Sequence, residues 1–177
     1  EGYNASRPEA FGIGKTVLEA LIAFKRSGKP YSGRTEPRFS GNGSLMRIAP
    51  IAIVHLQQPQ QAWEAAALSS RITHGAVACV QACQYFTQLL IRAMQGASKE
   101  AMLAGFETMG LDALTHIVAG DFKHKSVDEV RGNGHVVDSL EAALWAFWHN
   151  SSFEGAVLAA ANLGDDADTT AAICGQL

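Results

Sequence analysis

The sequence predicts an all-α fold, a compact multi-helix orthogonal bundle, and three observations carry that prediction. Apolar residues recur at three- and four-residue spacing through most of the 177-residue chain. Strand-like alternation is confined to one short run, Ile51 to Val54, which fits a buried helix equally well. Glycines and prolines fall between the periodic stretches, where helices stop and loops turn. Roughly seven to nine helices joined by glycine loops follow from this pattern.

The elements can be justified in order. From Ile13, the residues Val17, Leu21 and Phe24 recur at helical spacing with Lys15, Glu19, Lys25 and Arg26 opposite, and Gly28-Lys-Pro30 ends that helix. Pro30 to Gly43 carries Gly33, Pro37, Gly41 and Gly43, a composition for a loop with unusual backbone angles. Ser44 opens an apolar segment that runs to Val54. Gln60 to Ile72 is expected to be a helix with Trp63, Ala67 and Leu68 on one side. It ends in Ser69-Ser-Arg-Ile-Thr-His74-Gly75, which places Thr73 and His74 at a helix junction. Ala76 to Met94, with Val80, Phe86, Leu89 and Leu90, is apolar enough to be central to the core. Ser98 to Leu114 contains a helix showing Met102, Leu103 and Phe106. His116, Asp121, His124 and Asp128 have no metal-ligand spacing and read as surface. Gly132-Asn-Gly134-His135 is a second glycine turn. Asp138 then opens a helix, with Glu141 as its capping-box partner, and Ala142 to Trp148 is apolar and aromatic. A further helix, Phe153 to Ala161, leads into an acidic stretch.

Composition narrows the function classes. A hydrophobic content of 47% with 18% charged residues describes a soluble globular chain long enough for one core-forming domain. The net charge of −3 argues against nucleic acid as the main partner, because tracking phosphates needs a basic excess. No apolar run has the roughly 18 to 20 residues of a membrane span, and no charged-then-apolar signal segment opens the chain. Cys79, Cys83 and Cys174 sit in Ala-rich helical patterns and read as buried thiols of a reducing, cytoplasmic compartment. Cys79 and Cys83 are one turn apart, but no second pair completes a zinc site. The polar opening Glu1 to Arg7 lacks a start methionine, so an excerpt of a longer product is expected.

Two stretches carry chemistry. In Asn162-Leu-Gly-Asp165-Asp166-Ala-Asp168-Thr169-Thr170, three carboxylates and two hydroxyls precede a small apolar run. A helix start needs one capping oxygen, whereas three clustered carboxylates repel one another. A hard divalent cation relieves that repulsion, and Asp-x-Asp-Thr spacing brings two carboxylates and a hydroxyl together from one turn. The simpler reading is an acidic cap complementing the helix dipole. In Ser40-Gly-Asn-Gly-Ser-Leu-Met-Arg47, glycines flanking Asn42 let the backbone approach a ligand closely. Amides at the start of the next segment can hold phosphate oxygens, with Arg47 adding a bidentate contact. The alternative is an ordinary glycine turn and cap, and a junction histidine such as His74 can equally be structural.

Four motifs then occur in a family's order: Gly41-Asn-Gly-Ser-Leu-Met-Arg-Ile-Ala-Pro50, Ser69-x-x-x-Thr-His74, Val137-Asp-Ser-Leu-Glu-Ala-Ala-Leu-Trp145 and Asn162-Leu-Gly-x-Asp-x-Asp-Thr169. Together they resemble the ADP-ribosylglycohydrolase family, which includes dinitrogenase-reductase-activating glycohydrolases and ADP-ribosyl-acceptor hydrolases. The resemblance covers the chain from about Phe11 to Leu177, so residues 1–177 are expected to form one partial domain of this type.

The resemblance implies an all-helical hydrolase with two Mg²⁺ (or Mn²⁺) ions at the bottom of an ADP-ribose cleft. Such an enzyme removes ADP-ribose from a modified arginine or serine side chain, or from a related small molecule. Asp166, Asp168 and Thr169 match the metal ligands. Asn42, Gly43 and Ser44 match the loop that approaches the diphosphate and ribose, and His74 matches a position lining the cleft. His135 stands where relatives often carry Tyr, a stacking platform on the adenine side. Asp165 stands where many relatives have a second glycine and is left outside the ligand set.

The family's other metal ligands and its acid/base group correspond to motifs upstream of Glu1, so the catalytic residue of this chain is unknown. Weak metal binding and little turnover are expected of the chain alone, with oligomerisation covering apolar surface left by the missing part. The competing expectations are an inactive ADP-ribose-binding or protein-interaction module, and a helical structural protein whose acidic turn is only a cap. The expected partner is ADP-ribose or an ADP-ribosylated protein, with no membrane and no nucleic acid.

Overall fold

A computed structural model of the chain describes residues 12–107 and 109–177. Among these, nine α-helices and several short 3-10 turns account for the regular structure, and no strand occurs beyond two isolated bridges. The order is α1 (Lys15–Ser27), α2 (Ala49–Val54), α3 (Pro59–Arg71), α4 (Val77–Met94), α5 (Lys99–Leu103), α6 (Thr115–Ala119), α7 (Val136–His149), α8 (Phe153–Asn162) and α9 (Ala167–Cys174). The all-α expectation holds. The run Ile51 to Val54 lies in α2 and is only half buried, with Ala52 inside and Val54 in solvent.

Helix α4 is the centre of the molecule. It packs against α2, α3, α5 and α7, while α7 packs in turn on α8 and α9. Its apolar residues fall on more than one face, and Cys79, Ala82, Cys83, Tyr85, Phe86 and Leu89 are fully buried. A helix apolar nearly all round belongs inside a core. Tyr85 meets Phe106 edge-on at 4.7 Å between ring centroids, and the Arg92 guanidinium lies over the Phe106 ring at 4.1 Å. Helix α9 reaches back to the Leu45–Arg47 turn, so the C-terminal helix closes on the glycine-rich loop region.

Four local expectations change. On α3 the inward residues are Ala62, Ala66, Ala67 and Ser70, whereas Leu68 is largely exposed; close packing against α4 selects the small side chains. Helix α5 ends at Leu103, so Phe106 reaches the core from the following loop. Asp138 and Glu141 form no capping box, because α7 starts at Val136 with His135 as its cap residue. Glu141 is instead buried and accepts from Lys125 Nζ at 2.6 Å. The segment with His116, Asp121, His124 and Asp128 is not wholly surface, since Ile117 and Phe122 plug the core.

Candidate functional site

Two Gly-Asn-Gly turns lie side by side. The Asn42 amide donates to Gly134 O at 3.2 Å, the Val136 amide donates to Ser40 O at 2.8 Å, and Gly41 and His135 form an antiparallel bridge. A third turn joins them where the Asp166 amide donates to Gly132 O at 2.9 Å. In that turn both Gly164 (φ 74°) and Asp165 (φ 57°) are left-handed. Asp is one of the few non-glycine residues that tolerate this region, so Asp165 stands in a conformation that suits glycine.

Side chains lock the three turns. Asn42 Nδ2 donates to Asp166 Oδ2 and to Ser139 Oγ, both at 2.7 Å, and Ser139 Oγ donates to Asn133 O at 2.6 Å. Asn133 mirrors Asn42: its Nδ2 donates to Asp138 Oδ2 at 2.7 Å and its Oδ1 accepts from the His135 amide at 2.8 Å. Asn42, Ser139 and Thr170 are buried. A buried polar network of this kind rigidifies a loop cluster only when its members are satisfied. Here the Asn42 nitrogen, both Ser139 hydroxyl roles and one Asp166 oxygen are all engaged.

His74 supports the first turn from behind. A Cβ on Gly43 would come within 2.9 Å of His74 Cε1, so only glycine lets the loop settle on the imidazole. The Arg47 guanidinium donates to Thr73 Oγ1 at 2.9 Å, and Thr73 Oγ1 lies 2.8 Å from His74 Nδ1. With the Thr73 oxygen accepting from Arg47, its own hydrogen is free for Nδ1, an order that leaves the ring proton on Nε2 toward the glycines. Burial, and then the Arg47 charge, push the His74 pKa down from 6.5 to about 4, so the ring is neutral at pH 7. A backbone interlock holds the junction in place: the Gly75 amide donates to Arg34 O at 2.9 Å, and a Cβ on Gly33 would lie 2.5 Å from His74 N.

The loop's amides are unevenly used. Those of Leu45 and Met46 donate to Asn42 O at 3.0 and 3.2 Å. Those of Gly43 and Ser44 have no hydrogen-bond partner among the described residues. The Ser44 hydroxyl is buried between Ser70 Oγ (3.0 Å) and Cys83 Sγ (3.4 Å), while Cys79 Sγ contacts Gly41 O at 3.3 Å. The two thiols therefore brace the loop. Desolvation raises both, Cys79 to about 12, which keeps them protonated and unsuited to a soft metal.

The sequence-selected residues thus occupy different places. Asn42, Gly43 and Asp166 come together directly. Asp168 and Thr169 follow in the first turn of α9, where the Thr169 amide donates to Asp168 Oδ1 at 2.9 Å. Ser44 and His74 lie beneath the loop. His135 is about half exposed beside the second turn, its Nδ1 3.8 Å from Asp138 Oδ1. Arg47 is exposed and donates to Gly43 O, Ser69 O and Thr73 Oγ1 at 3.2, 3.4 and 2.9 Å. Thr73 was marked with His74 as a junction residue, whereas Ser139 and Asn133 were not singled out from sequence; the repeated Gly-Asn-Gly at 41–43 and 132–134 is the signal that points to Asn133.

Asp166, Asp168 and Thr169 supply carboxylate and hydroxyl oxygens, the donor chemistry a hard divalent cation requires. Each carboxylate has one oxygen accepting from an amide and retains acceptor capacity. The donor set fits, but as part of a site: no group of three or more His, Cys, Asp and Glu converges to hold a metal among the described residues.

The fold and the loop cluster define an all-helical protein that presents a glycine-rich turn beside an Asp-x-Asp-Thr helix start. The ADP-ribosylglycohydrolase family model matches residues 2–177, and the chain belongs to that family. It is 41% identical over 176 residues to an ADP-ribosylarginine hydrolase of Pseudomonas putida, covering 99% of this chain and 47% of that protein. It is 37% identical to its counterpart in Serratia proteamaculans, covering 99% and 48%. It is also 25% identical to the ADP-ribosyl-[dinitrogen reductase] glycohydrolase of Rhodospirillum rubrum, covering 97% and 55%. A solved ADP-ribosylglycohydrolase-related protein complex superposes with a TM-score of 0.82 at 37% identity, over 93% of this chain and 57% of that one. The chain therefore spans about half the length of the relatives it matches. The family generally uses divalent metal ions. Among the described residues no helix is long and apolar enough to cross a membrane.

Proposed function

We propose that this chain forms the ADP-ribose-facing loop cluster of a hydrolase that removes ADP-ribose from a modified side chain or small molecule, with a binuclear Mg²⁺ or Mn²⁺ centre. The observation that carries this reading is the Asn42–Asp166 bond, which fixes the glycine turn against the acidic helix start. The free amide of the partly exposed Gly43 would bind a diphosphate oxygen, since an unpaired N–H group in a rigid turn forms an anion site without reorganisation. Neutral His74 holds that turn at a fixed height. His135 would stack on the adenine side from its half-exposed position. Asp166, Asp168 and Thr169 would hold the metal, which supplies Lewis-acid chemistry at the ribose when bound. Asn42 keeps the Asp166 carboxylate oriented, and the shared rigidity positions the glycosidic bond.

A second reading is favoured by the chain's half-length match and by the partial donor set: an ADP-ribose-binding or interaction module without turnover.

Thermal melts with Mg²⁺ or Mn²⁺ and ADP-ribose, separately and together, test the site. A ligand at 100 times its Kd stabilises the folded state by about 2.7 kcal/mol. The expected result is a shift with metal plus ADP-ribose that Asp166→Ala and Asp168→Ala abolish. Absence of any shift overturns the reading. A shift without hydrolysis of ADP-ribosyl-arginine assigns the binding module instead.

A further inference from the structure

Helix α9 carries the candidate metal-binding oxygens at its head, and a single glutamine fastens its tail. Asp166 precedes the helix, Asp168 and Thr169 lie in its first turn, and Gln176 stands just past its end. The partly buried Gln176 side chain folds back onto the segment that follows the glycine loop. Its Oε1 accepts from the Ala49 amide at 2.9 Å. Its Nε2 donates to Ala172 O at 3.3 Å, Met46 O at 3.4 Å and Leu45 O at 3.5 Å. The Ala49 amide opens α2, where a first-turn N–H has no partner inside the helix. Ile48 offers no side-chain cap, so the acceptor comes from Gln176, 127 residues along the chain.

The head of α9 is tied to the same stretch, since Asn42 Nδ2 donates to Asp166 Oδ2 at 2.7 Å. The segment from Asn42 to Ala49 therefore holds α9 at both ends. A rod fixed at one end is free to turn about that point, and a second tie removes the freedom. The eight residues of α9 span about 12 Å, so the two ties are well separated. Packing of α9 on α7 and α8 buries Thr170, Ile173 and Cys174. Apolar packing of that kind is non-directional, whereas hydrogen bonds set angle and register. We propose that Gln176 is a positioning residue of the candidate site. It sets the orientation of α9 against the glycine loop, and with it the direction of the Asp166, Asp168 and Thr169 oxygens. What those oxygens do rests on the hydrolase reading; the clamp itself does not. The consequence is large if that reading holds, because a 1 Å misplacement at reacting groups costs about a hundredfold in rate.

The test reads the ligand-free chain by NMR. Two signals report the head of α9: the Asn42 side-chain amide, which donates to Asp166, and hydrogen exchange of the Asp166 backbone amide, which donates to Gly132 O. Gln176→Met keeps the length of the side chain and removes its amide. It should move the Asn42 signal and speed Asp166 exchange about tenfold, as loosening of a local unit does. Gln176→Ala is the second loss variant and should act alike. Gln176→Glu keeps an acceptor for the Ala49 amide and should hold both signals near the parent's, a rescue that a general loss of stability would not give. Gln81 makes an equivalent clamp elsewhere, donating to Gly110 O at 2.8 Å and accepting from the Ala113 amide at 2.9 Å. Gln81→Ala should therefore change neither signal. Unmoved signals in the two loss variants, no difference between them and Gln176→Glu, or an equal change in Gln81→Ala overturns the proposal. In melts with Mg²⁺ and ADP-ribose, Gln176→Met should lose the shift that Gln176→Glu keeps. A parent that shows no shift counts against the hydrolase reading, while the ligand-free signals still decide the clamp.

Discussion

The side-chain nitrogen of Asn42 lies 2.7 Å from Asp166 Oδ2, across 124 residues of sequence, and the same nitrogen holds the buried Ser139 hydroxyl. One carboxamide thus joins the glycine turn, the start of α7 and the acidic turn before α9.

Removing that joint should loosen all three. Asn42→Ala strands the Ser139 oxygen and an Asp166 oxygen, and an unsatisfied buried polar group costs about 1–3 kcal/mol. Urea unfolding should show a loss in that range. Asn42→Asp should destabilise more, because it sets a carboxylate against Asp166; a variant as stable as the parent would show that the joint is not structural.

Glycine substitutions should rank by what their Cβ meets. Gly33→Ala and Gly75→Ala each drive a methyl to 2.5 Å from backbone, at His74 N and Gly33 O. Overpacking against rigid backbone costs about 1–3 kcal/mol or more. Gly43→Ala meets the His74 ring at 2.9 Å, where a side chain has some freedom to turn. Denaturant midpoints should fall furthest for Gly33→Ala and Gly75→Ala.

Acid should destabilise the protein through His74. Its folded pKa of about 4 lies below the ordinary 6.5, so the unfolded state binds a proton that the folded state refuses. The resulting stability is fully present above about pH 6.5 and is lost as pH falls toward 4, by up to about 3 kcal/mol at 1.36 kcal/mol per unit. His74→Phe should flatten the pH dependence of the melting temperature between pH 6.5 and 4.5, even where it lowers stability at pH 7.

The ion pair beneath α7 gives a separate test. Glu141 is buried and Lys125 lies 2.6 Å from it. Lys125→Met leaves a buried carboxylate with only the distant His116 (3.8 Å) opposite, and breaking such a pair costs about 3–5 kcal/mol when both charges are deep. Lys125 is part-exposed, so about 2 kcal/mol is expected, largely restored by Lys125→Met combined with Glu141→Gln.

Helix identity was legible because a single face repeats every three to four residues. Boundaries failed where side chains were reassigned by packing: Phe106 serves the core from a loop, and Glu141 was drawn to Lys125 away from a cap. The candidate site was legible in part. Asn42, Gly43 and the Asp-x-Asp-Thr turn announce themselves by composition, whereas Ser139 is an ordinary helix serine until Asn42 reaches it.

The sequence by itself determined the all-helical class, the positions of the glycine turns and the acidic helix start, because these depend on periodicity and on backbone angles that few residues adopt. Only the tertiary structure decided that the two Gly-Asn-Gly turns pair, that His74 and the two thiols lie beneath the loop, and that α1 keeps an apolar face in solvent. Those outcomes depend on which distant side chains meet, and close packing settles that only when the whole chain is in place.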